Sequence, residues 1–423
     1  MAESTVILTK DIQEKIRDIG EIDILVGIPS YNNVRTIEHV VKAVEAGLSK
    51  YFPNNKSLLV NSDGGSIDGT MDIVSGTTID LNSILLHHKV GGFHKLVTPY
   101  QGIPGKGSAF RTIFEVARIL KVKACAVVDS DLRSITPEWI ELLIKPILTG
   151  GYDYVSPYYL RHKYDGTITN TIVYPMTRAL YGRRIRQPIG GDFGFSGRLA
   201  SFYLTKDVWE TDVARFGIDI WMTTTAVAND FKVCQAFLGA KIHDAKDPGA
   251  DLSAMLHQVV SSVFNLTEEY APVWKNVLKS EPITTFGFVY SVGLEPIKVN
   301  LDGMLEKFRL GVKELSVLYE SFLPEDLLSF IRGVVEKPKD QFSIPDDIWV
   351  KIIYSFALAC KRKVMSKEHI IKSLTPLYLG KVASFVIEVW ESTAEEVEQR
   401  LEDLCVAFER GKLYLIERWE KEA

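Results

Sequence analysis

The sequence predicts an α/β chain: a mostly parallel sheet interleaved with helices, followed by an all-helical C-terminal region. Three observations predict it. Short apolar, β-branched runs alternate with segments of helical periodicity over residues 22–132, as in a parallel sheet. Pro29, Asp63 and Asp129 stand at the carboxyl ends of such runs, where open α/β sheets bind ligands. From about residue 285 the strand-like runs give way to apolar positions spaced by three and four.

The elements follow in order. Ile12, Ile16 and Ile19 predict an amphipathic helix within residues 1–22. Ile22–Pro29 reads as a buried strand. Thr36, Val40, Val41, Val44 and Leu48 predict the next helix. Ser57–Asp63 is a second strand, Asp68 opens a helix, and Lys95–Thr98 is a short third strand. Gly107–Leu120 is helical and Ala124–Asp129 is a fourth strand. Residues 150–280 are richer in Gly, Tyr and Arg, with a strand-like piece from Tyr154. Met304 to Phe322 forms one long apolar helical stripe, and Ser392 with Glu395 forms a capping box. Pro338, Pro345 and Pro376 punctuate this region. The expected division is 1–284, with halves of about 22–132 and 133–284, and a helical domain 285–423.

The chain has 423 residues, enough for two or three domains. Its 49 basic residues against 54 acidic ones leave a net charge of −5, which excludes a general nucleic-acid-binding face. Cys125, Cys234, Cys360 and Cys405 form no CxxC pair, so a zinc ribbon or a disulfide framework is not expected. The N-terminal residues lack a signal-peptide pattern, and no run of about 18 uncharged apolar residues predicts a membrane span. The expectation is a cytoplasmic enzyme. Apolar stripes on the C-terminal helices suit packing within their own domain, or alternatively a homodimer contact.

The sharpest chemical signal is Val127-Val-Asp-Ser-Asp-Leu132. In an extended chain residues two apart point the same way. Asp129 and Asp131 then face one hard cation, Mg²⁺ or Mn²⁺, bridging two phosphates; the plainer alternative is a pair of solvated loop carboxylates. Gly27–Asn33 suits a nucleobase. In Asn61–Thr70, Asp63 is placed to accept from a ribose or base N–H, while Asp68 reads as a structural turn residue capping the next helix. Lys106, between Gly105 and Gly107, enters a helix whose start favours anions; the spacing is not that of a P-loop.

Pro29-Ser-Tyr-Asn, Ser62-Asp-Gly-Gly-Ser-x-Asp-Gly-Thr, Gly105-Lys-Gly-x-Ala and Asp129-Ser-Asp, in this order, resemble a GT-A glycosyltransferase. Gln187–Phe193, Gly217–Ile220 and Lys241–Asp244 narrow the resemblance to retaining glucosyl-3-phosphoglycerate synthases and the related mannosylglycerate synthases, over about residues 22–270. The resemblance implies a nucleotide-sugar donor, UDP-glucose or a GDP-linked hexose, gripped by Pro29, Ser30, Tyr31, Asn32, Asp63, Lys106, Asp129 and Ser130. It implies a Mg²⁺ or Mn²⁺ site on Asp131 and His243 beside Asp129. It places Gly166, Thr167 and Thr169 on glycerate or 3-phosphoglycerate, with Gly190, Gly191 and Asp192 shaping the sugar pocket. Asp219 matches a carboxylate near acceptor and sugar, serving with Lys106 as the catalytic pair.

Each role has a structural alternative: a strand-end histidine for His243, a helix cap for Asp219, a solvated basic face for Arg161, Arg178, Arg183, Arg184 and Arg186. The family's basic residue in the acceptor loop is replaced here by Thr167, which favours the less charged glycerate. Asp192 stands where the family has glutamate. In a retaining enzyme of this kind the departing diphosphate oxygen takes the acceptor proton, so Asp219 positions rather than acts as a formal base. The alternatives are a mannosylglycerate synthase using GDP-mannose, an inverting polymer or lipid-linked transferase, a nucleotidyltransferase, or an inactive scaffold. The inverting transferase lacks its Gln-x-x-Arg-Trp segment here, and the nucleotidyltransferase its glycine-rich basic loop.

Overall fold

The computed structural model describes residues 7–77, 92–242, 253–289 and 297–420. The chain forms two compact units. The first comprises Met1–Leu160, Ile189–Asp244 and Ile283–Leu294; the second comprises Arg161–Pro188, Ala245–Pro282 and Glu295–Ala423. The boundary expected at 284/285 is thus replaced by a discontinuous one, for two reasons. A short strand beyond it, Thr285–Phe286, hydrogen-bonds onto the sheet. Residues 161–188, expected in the catalytic domain, instead pack with the C-terminal helices: Trp349 Nε1 donates to the Thr171 carbonyl at 2.7 Å.

The first unit is the predicted α/β layer structure. Its strands are β1 Ile24–Ser30, β2 Ser57–Asp63, β3 Phe93–Pro99, β4 Ala124–Val127, β5 Tyr154–Leu160, β6 Phe193–Ser196, β7 Val233–Ala240 and β8 Thr285–Phe286. They join in the order β3-β2-β1-β4-β6-β5-β7-β8. Neighbours are parallel except at β6, which runs antiparallel to β4 and β5. Every residue of β1 is buried, which explains its unbroken apolar run. Alternate side chains leave the sheet on opposite faces. Ile24, Val26 and Ile28 join one core with the helices Ile37–Tyr51 and Pro137–Leu148. Gly27 faces the other way, against Ile113 of the helix Lys106–Ile119. The four cysteines are free and buried.

The described part of the second unit is helical and differs from the sequence reading in three details. The stripe from Met304 to Phe322 is two helices, Leu301–Glu314 and Ser316–Glu320, because Leu315 turns the chain at φ −98°, ψ 10°. The capping box lies one residue on: the Glu396 N–H donates to Thr393 Oγ1 at 3.3 Å, and the Thr393 N–H to Glu396 Oε2 at 2.7 Å. The helix starts at Ala394, so Thr393 holds the capping position. Pro376 does not interrupt the chain but lies within the helix Lys367–Glu388. That helix is also long and apolar enough to cross a membrane by length and composition, although Lys372 and Lys381 keep it from being the uncharged run whose absence the sequence shows. It is largely buried within its own unit, and such packing overrides the local cost of a proline.

Candidate functional site

At the carboxyl side of β4 and β7 in the first unit, two lysines bind three aspartates. Asp129 lies two residues beyond β4, Asp192 immediately before β6, and Lys241 immediately after β7. Lys106 is the first residue of its helix. Asp219 is the second residue of the helix Ile218–Ala228, whose cap is Gly217; the helix-cap alternative for Asp219 is thereby set aside. Lys106 Nζ lies 2.8 Å from Asp129 Oδ1 and 3.2 Å from Asp219 Oδ1, and it donates to the Gly191 carbonyl at 3.3 Å. Lys241 Nζ lies 2.8 Å from both Asp129 Oδ2 and Asp192 Oδ2, and it donates to the Gly190 carbonyl at 2.8 Å. Asp192 also accepts from the Asp129 N–H at 2.7 Å and from the Tyr159 hydroxyl.

Burial and charge set the ionisation of this cluster. Burial alone would push the Lys106 ammonium down, but the charges of Asp129 and Asp219 outweigh it and hold it well above its ordinary value. Burial would raise Asp129, yet Lys106 and Lys241 hold its carboxyl far below the usual range. Asp219 goes the other way: burial, with the charge of Asp129, raises it despite Lys106. A strongly ionised carboxylate and one that takes a proton more readily thus share one lysine, a division found at functional sites.

The glycines here answer to packing. Gly191 has φ +90°, and a Cβ there would lie 2.2 Å from Asp129 Oδ2. A Cβ on Gly107 would lie 1.9 Å from the Val213 carbonyl oxygen. The glycine beside Lys106 therefore lets the helix start approach the chain at Val213.

The proposed donor loops form a hydrogen-bonded knot, and this corrects the reading of Asp63. Its Oδ1 accepts from the N–H groups of Gly65 and Ser66, at 2.8 and 2.7 Å. Its Oδ2 accepts from the hydroxyls of Ser30 and Ser66, both at 2.7 Å. Four donors fill the acceptor capacity of a carboxylate, so Asp63 anchors the loop in place of gripping a ribose. Asp68 is structural as read, accepting from the N–H groups of Thr70 and Val34, although Gly69 is the capping residue. Asn32 Oδ1 accepts from Ile67, and the Ser130 hydroxyl donates to Asn33. Ser30, Asn32 and Ser130 are thus also engaged within the chain. Pro29 pairs with Ser62 in the sheet. The Tyr31 ring remains 63% exposed, close against Gly64.

In this structure the two oxygens of Asp129 each hold a lysine, Oδ1 that of Lys106 and Oδ2 that of Lys241. Asp131 is half-buried. Nearby, the Arg133 N–H donates to the Ile242 carbonyl at 2.9 Å and the Ile242 N–H to Ser134 Oγ at 2.9 Å. His243 lies outside the described residues. Among the described residues no three His, Cys, Asp or Glu side chains gather closely enough to hold a metal ion. A single carboxylate such as Asp131 fits a Mg²⁺-type ion that takes its other ligands from phosphate and water. A cavity of about 750 Å³ in this unit, walled by Trp139, Leu142, Phe237 and Phe286, shares no lining residue with the lysine–aspartate cluster.

In the second unit the segment 161–169 leads into a π-helical turn, Thr169–Val173, a form frequent at functional sites. Thr167 is buried and shares a 2.6 Å hydrogen bond with the Tyr378 hydroxyl. Its side chain is thereby committed to the helix Lys367–Glu388, not to a ligand. All five arginines meet carboxylates of this same unit, Arg161 contacting Asp165 at 3.4 Å. Arg178 pairs with Glu402 and Glu409, Arg183 with Glu281, Arg184 with Glu402, and Arg186 with Glu398.

Sequence reasoning missed Lys241 and Tyr159 as site residues. Lys241 carried a signal, since it directly follows a strand whose carboxyl end faces the site. Tyr159 carried none, because its role depends on β5 lying beside β6.

No protein-family model and no curated protein matches the chain. Solved structures do. A glucosyl-3-phosphoglycerate synthase from Mycobacterium tuberculosis, in complex with Mn²⁺, UDP and phosphoglyceric acid, matches with 21% identity and a TM-score of 0.43, over 60% of this chain and 82% of that one. The same enzyme with Mn²⁺, UDP-glucose and phosphoglyceric acid matches with 21% identity and a TM-score of 0.44, over 62% and 84%. At this level these are likenesses only, and the function proposed below rests on the chain's own residues.

Proposed function

We propose that this chain is a retaining hexosyltransferase that moves a hexose, glucose foremost, from a nucleotide-sugar to D-glycerate or 3-phosphoglycerate. The observation that supports it most is the buried cluster in which Lys106 joins Asp129 to Asp219 and Lys241 joins Asp129 to Asp192. Four separate motifs of the sequence converge there: Gly105-Lys-Gly, Asp129-Ser-Asp, Gly190-Gly-Asp and Gly217-Ile-Asp.

The reaction breaks the bond between the anomeric carbon and the diphosphate and forms one to the acceptor hydroxyl. Charge builds on the leaving oxygen, and preorganised cations stabilise it. Lys106 and Lys241 supply that charge, held ready by aspartates they can exchange for diphosphate oxygens. Asp219, beside Lys106, orients the sugar and acceptor, while the acceptor proton passes to the departing diphosphate oxygen. Tyr31 offers its exposed ring to the base. A bound Mg²⁺ or Mn²⁺ would neutralise part of the diphosphate charge, and Asp131 with His243 are the residues we propose hold it.

The test is a donor panel of UDP-, GDP- and ADP-hexoses against D-glycerate and 3-phosphoglycerate, with and without Mg²⁺ or Mn²⁺, scored by product mass. A hexosyl-glycerate product is expected. GDP-mannose as the sole effective donor would make the chain a mannosyltransferase. No glycosylated product from either acceptor defeats the proposal. Asp131→Ala and His243→Ala should each abolish metal-stimulated turnover in a folded protein, and full activity in either would remove that residue from the metal site.

A further inference from the structure

We infer that the cavity of about 750 Å³ in the first unit is a binding site for an uncharged aromatic molecule, and that its occupant bears on the lysine–aspartate cluster through Trp139 and Tyr159. The site stands on the geometry of this unit and not on the transferase reading. Its walls include Trp139, Leu142, Phe237, Leu238, Phe286 and Phe288, and its volume falls in the range of about 300–1,000 Å³ that holds a small organic ligand. Three of the wall rings are each packed on a tyrosine: Trp139 on Tyr159 with centroids 5.4 Å apart, Phe237 on Tyr158 at 5.5 Å and Phe286 on Tyr152 at 5.6 Å. Rings fixed in this way make a pocket that is formed before a ligand arrives. A glycine sets the rim. Gly287 has φ +87°, and a Cβ there would lie 2.9 Å from the Phe237 carbonyl oxygen, so only a glycine lets the chain turn here and carry Phe288, 91% exposed, to the edge of the pocket. An aromatic ligand that enters takes this ring out of water.

Charge selects the occupant. The charged lining residues are Glu138, Glu141 and Lys145, and each has its counter-ion: Lys145 pairs with Glu141 at 2.9 Å and Glu138 with Lys50 at 3.4 Å. A ligand charge would enter an apolar space with no opposite charge left to meet it, which is costly. The Thr149 hydroxyl donates to the Lys145 carbonyl at 3.0 Å, which leaves its lone pairs to accept from one neutral polar group.

The link to the cluster is a chain of packed groups. The Tyr159 hydroxyl donates to Asp192, Lys241 Nζ lies 5.2 Å from the Tyr159 ring centroid, and Lys241 pairs with Asp192 and Asp129. Ala240, which also lines the cavity, is the residue before Lys241. A ligand that fixes Trp139 therefore fixes the tyrosine that holds Asp192.

The experiment is calorimetric titration of the full chain with three ring-matched compounds: naphthalenemethanol, which is neutral, naphthylmethylamine, a cation, and naphthoate, an anion. The alcohol should bind with a Kd of about 100 µM or tighter, and both ions about tenfold or more weakly than that. Leu142→Trp, which fills the cavity, should weaken binding of the alcohol by about tenfold or more, and Phe288→Ala by about threefold. Phe288 is exposed, so Phe288→Ala decides if circular dichroism shows Leu142→Trp to be unfolded. Hydrogen exchange reads the link. Saturating alcohol should slow exchange of the Asp129 amide, which donates to Asp192, by about threefold in wild type and not in Tyr159→Phe. A wild type that binds none of the three compounds overturns the inference, as does an ion that binds as tightly as the alcohol. A folded Leu142→Trp that binds like wild type also overturns it, and where that variant is unfolded a Phe288→Ala that binds like wild type does so. Exchange at Asp129 that the bound alcohol leaves unchanged, or slows equally in Tyr159→Phe, overturns the link to the cluster.

Discussion

Lys241 Nζ stands 2.8 Å from Asp192 Oδ2, and Asp192 is fully buried. The same ammonium holds Asp129 Oδ2 at 2.8 Å, so one lysine joins the end of β7 to the residues flanking β4 and β6. Removing one partner of a buried ion pair leaves an uncompensated charge and typically costs about 3–5 kcal/mol. Lys241→Met should lower unfolding stability on that scale in a denaturant titration and abolish hexosyl transfer. An unchanged denaturation midpoint would mean that Asp192 finds its compensation elsewhere.

The cluster sets a pH window. Asp129 is depressed below its ordinary 3.8, so its contribution to stability is complete above 3.8 and is lost as pH falls through its folded value. Lys106 is raised above its ordinary 10.5, so its contribution is complete below 10.5 and is lost as pH rises through its folded value. Asp219 is raised above 3.8, so the stability it contributes is present below 3.8 and is lost as pH rises through its folded value. Asp219→Asn is therefore expected to raise the thermal midpoint at neutral pH while reducing transfer. A lower midpoint at pH 7 together with full activity would contradict both halves.

Gly191→Ala places a methyl group at a backbone φ of +90° and 2.2 Å from Asp129 Oδ2. Left-handed strain and overpacking each cost about 1–3 kcal/mol. The variant should lose stability of that order and lose activity, because the Asp129–Lys241 pair must separate. Activity equal to wild type would show that the pair is not needed for transfer.

In the second unit, Arg178 is fully buried against Glu402 and Glu409 and donates to Ser280 at 3.1 Å. Arg178→Met should destabilise by about 3 kcal/mol, measured by urea unfolding. Glu409→Gln, which keeps a neutral acceptor, should cost less; an equal loss would show that charge and not hydrogen bonding dominates there.

Tyr378→Phe leaves the Thr167 hydroxyl without its 2.6 Å partner. A loss of about 1–3 kcal/mol in thermal unfolding is expected. Acceptor affinity should fall only through loosening of the loop, so a complete loss of D-glycerate binding would place Tyr378 or Thr167 at the ligand after all.

Most of the sheet was legible because buried parallel strands declare themselves. Ile24–Ser30, Ser57–Asp63 and Ala124–Val127 are short apolar runs that end in, or two residues before, a turn or acidic residue. The candidate site was legible as positions but not as roles. Asp129, Lys106, Asp192 and Asp219 do come together, yet Asp63 and Thr167 are consumed by hydrogen bonds that no spacing reveals. For Thr167 the partner lies 211 residues away.

By itself, the sequence determined the alternation of strands and helices, the helical C-terminal region, and the residues from which a site is drawn. These follow from local periodicity and from which side chains are able to ionise. Only the tertiary structure decided that residues 161–188 pack with the C-terminal helices, that Lys241 completes the cluster, and that Asp63 is an anchor. Those outcomes depend on which distant groups satisfy one another once buried. A buried charge or hydroxyl takes whatever partner the fold brings within hydrogen-bonding distance, and that choice is made in space, not along the chain.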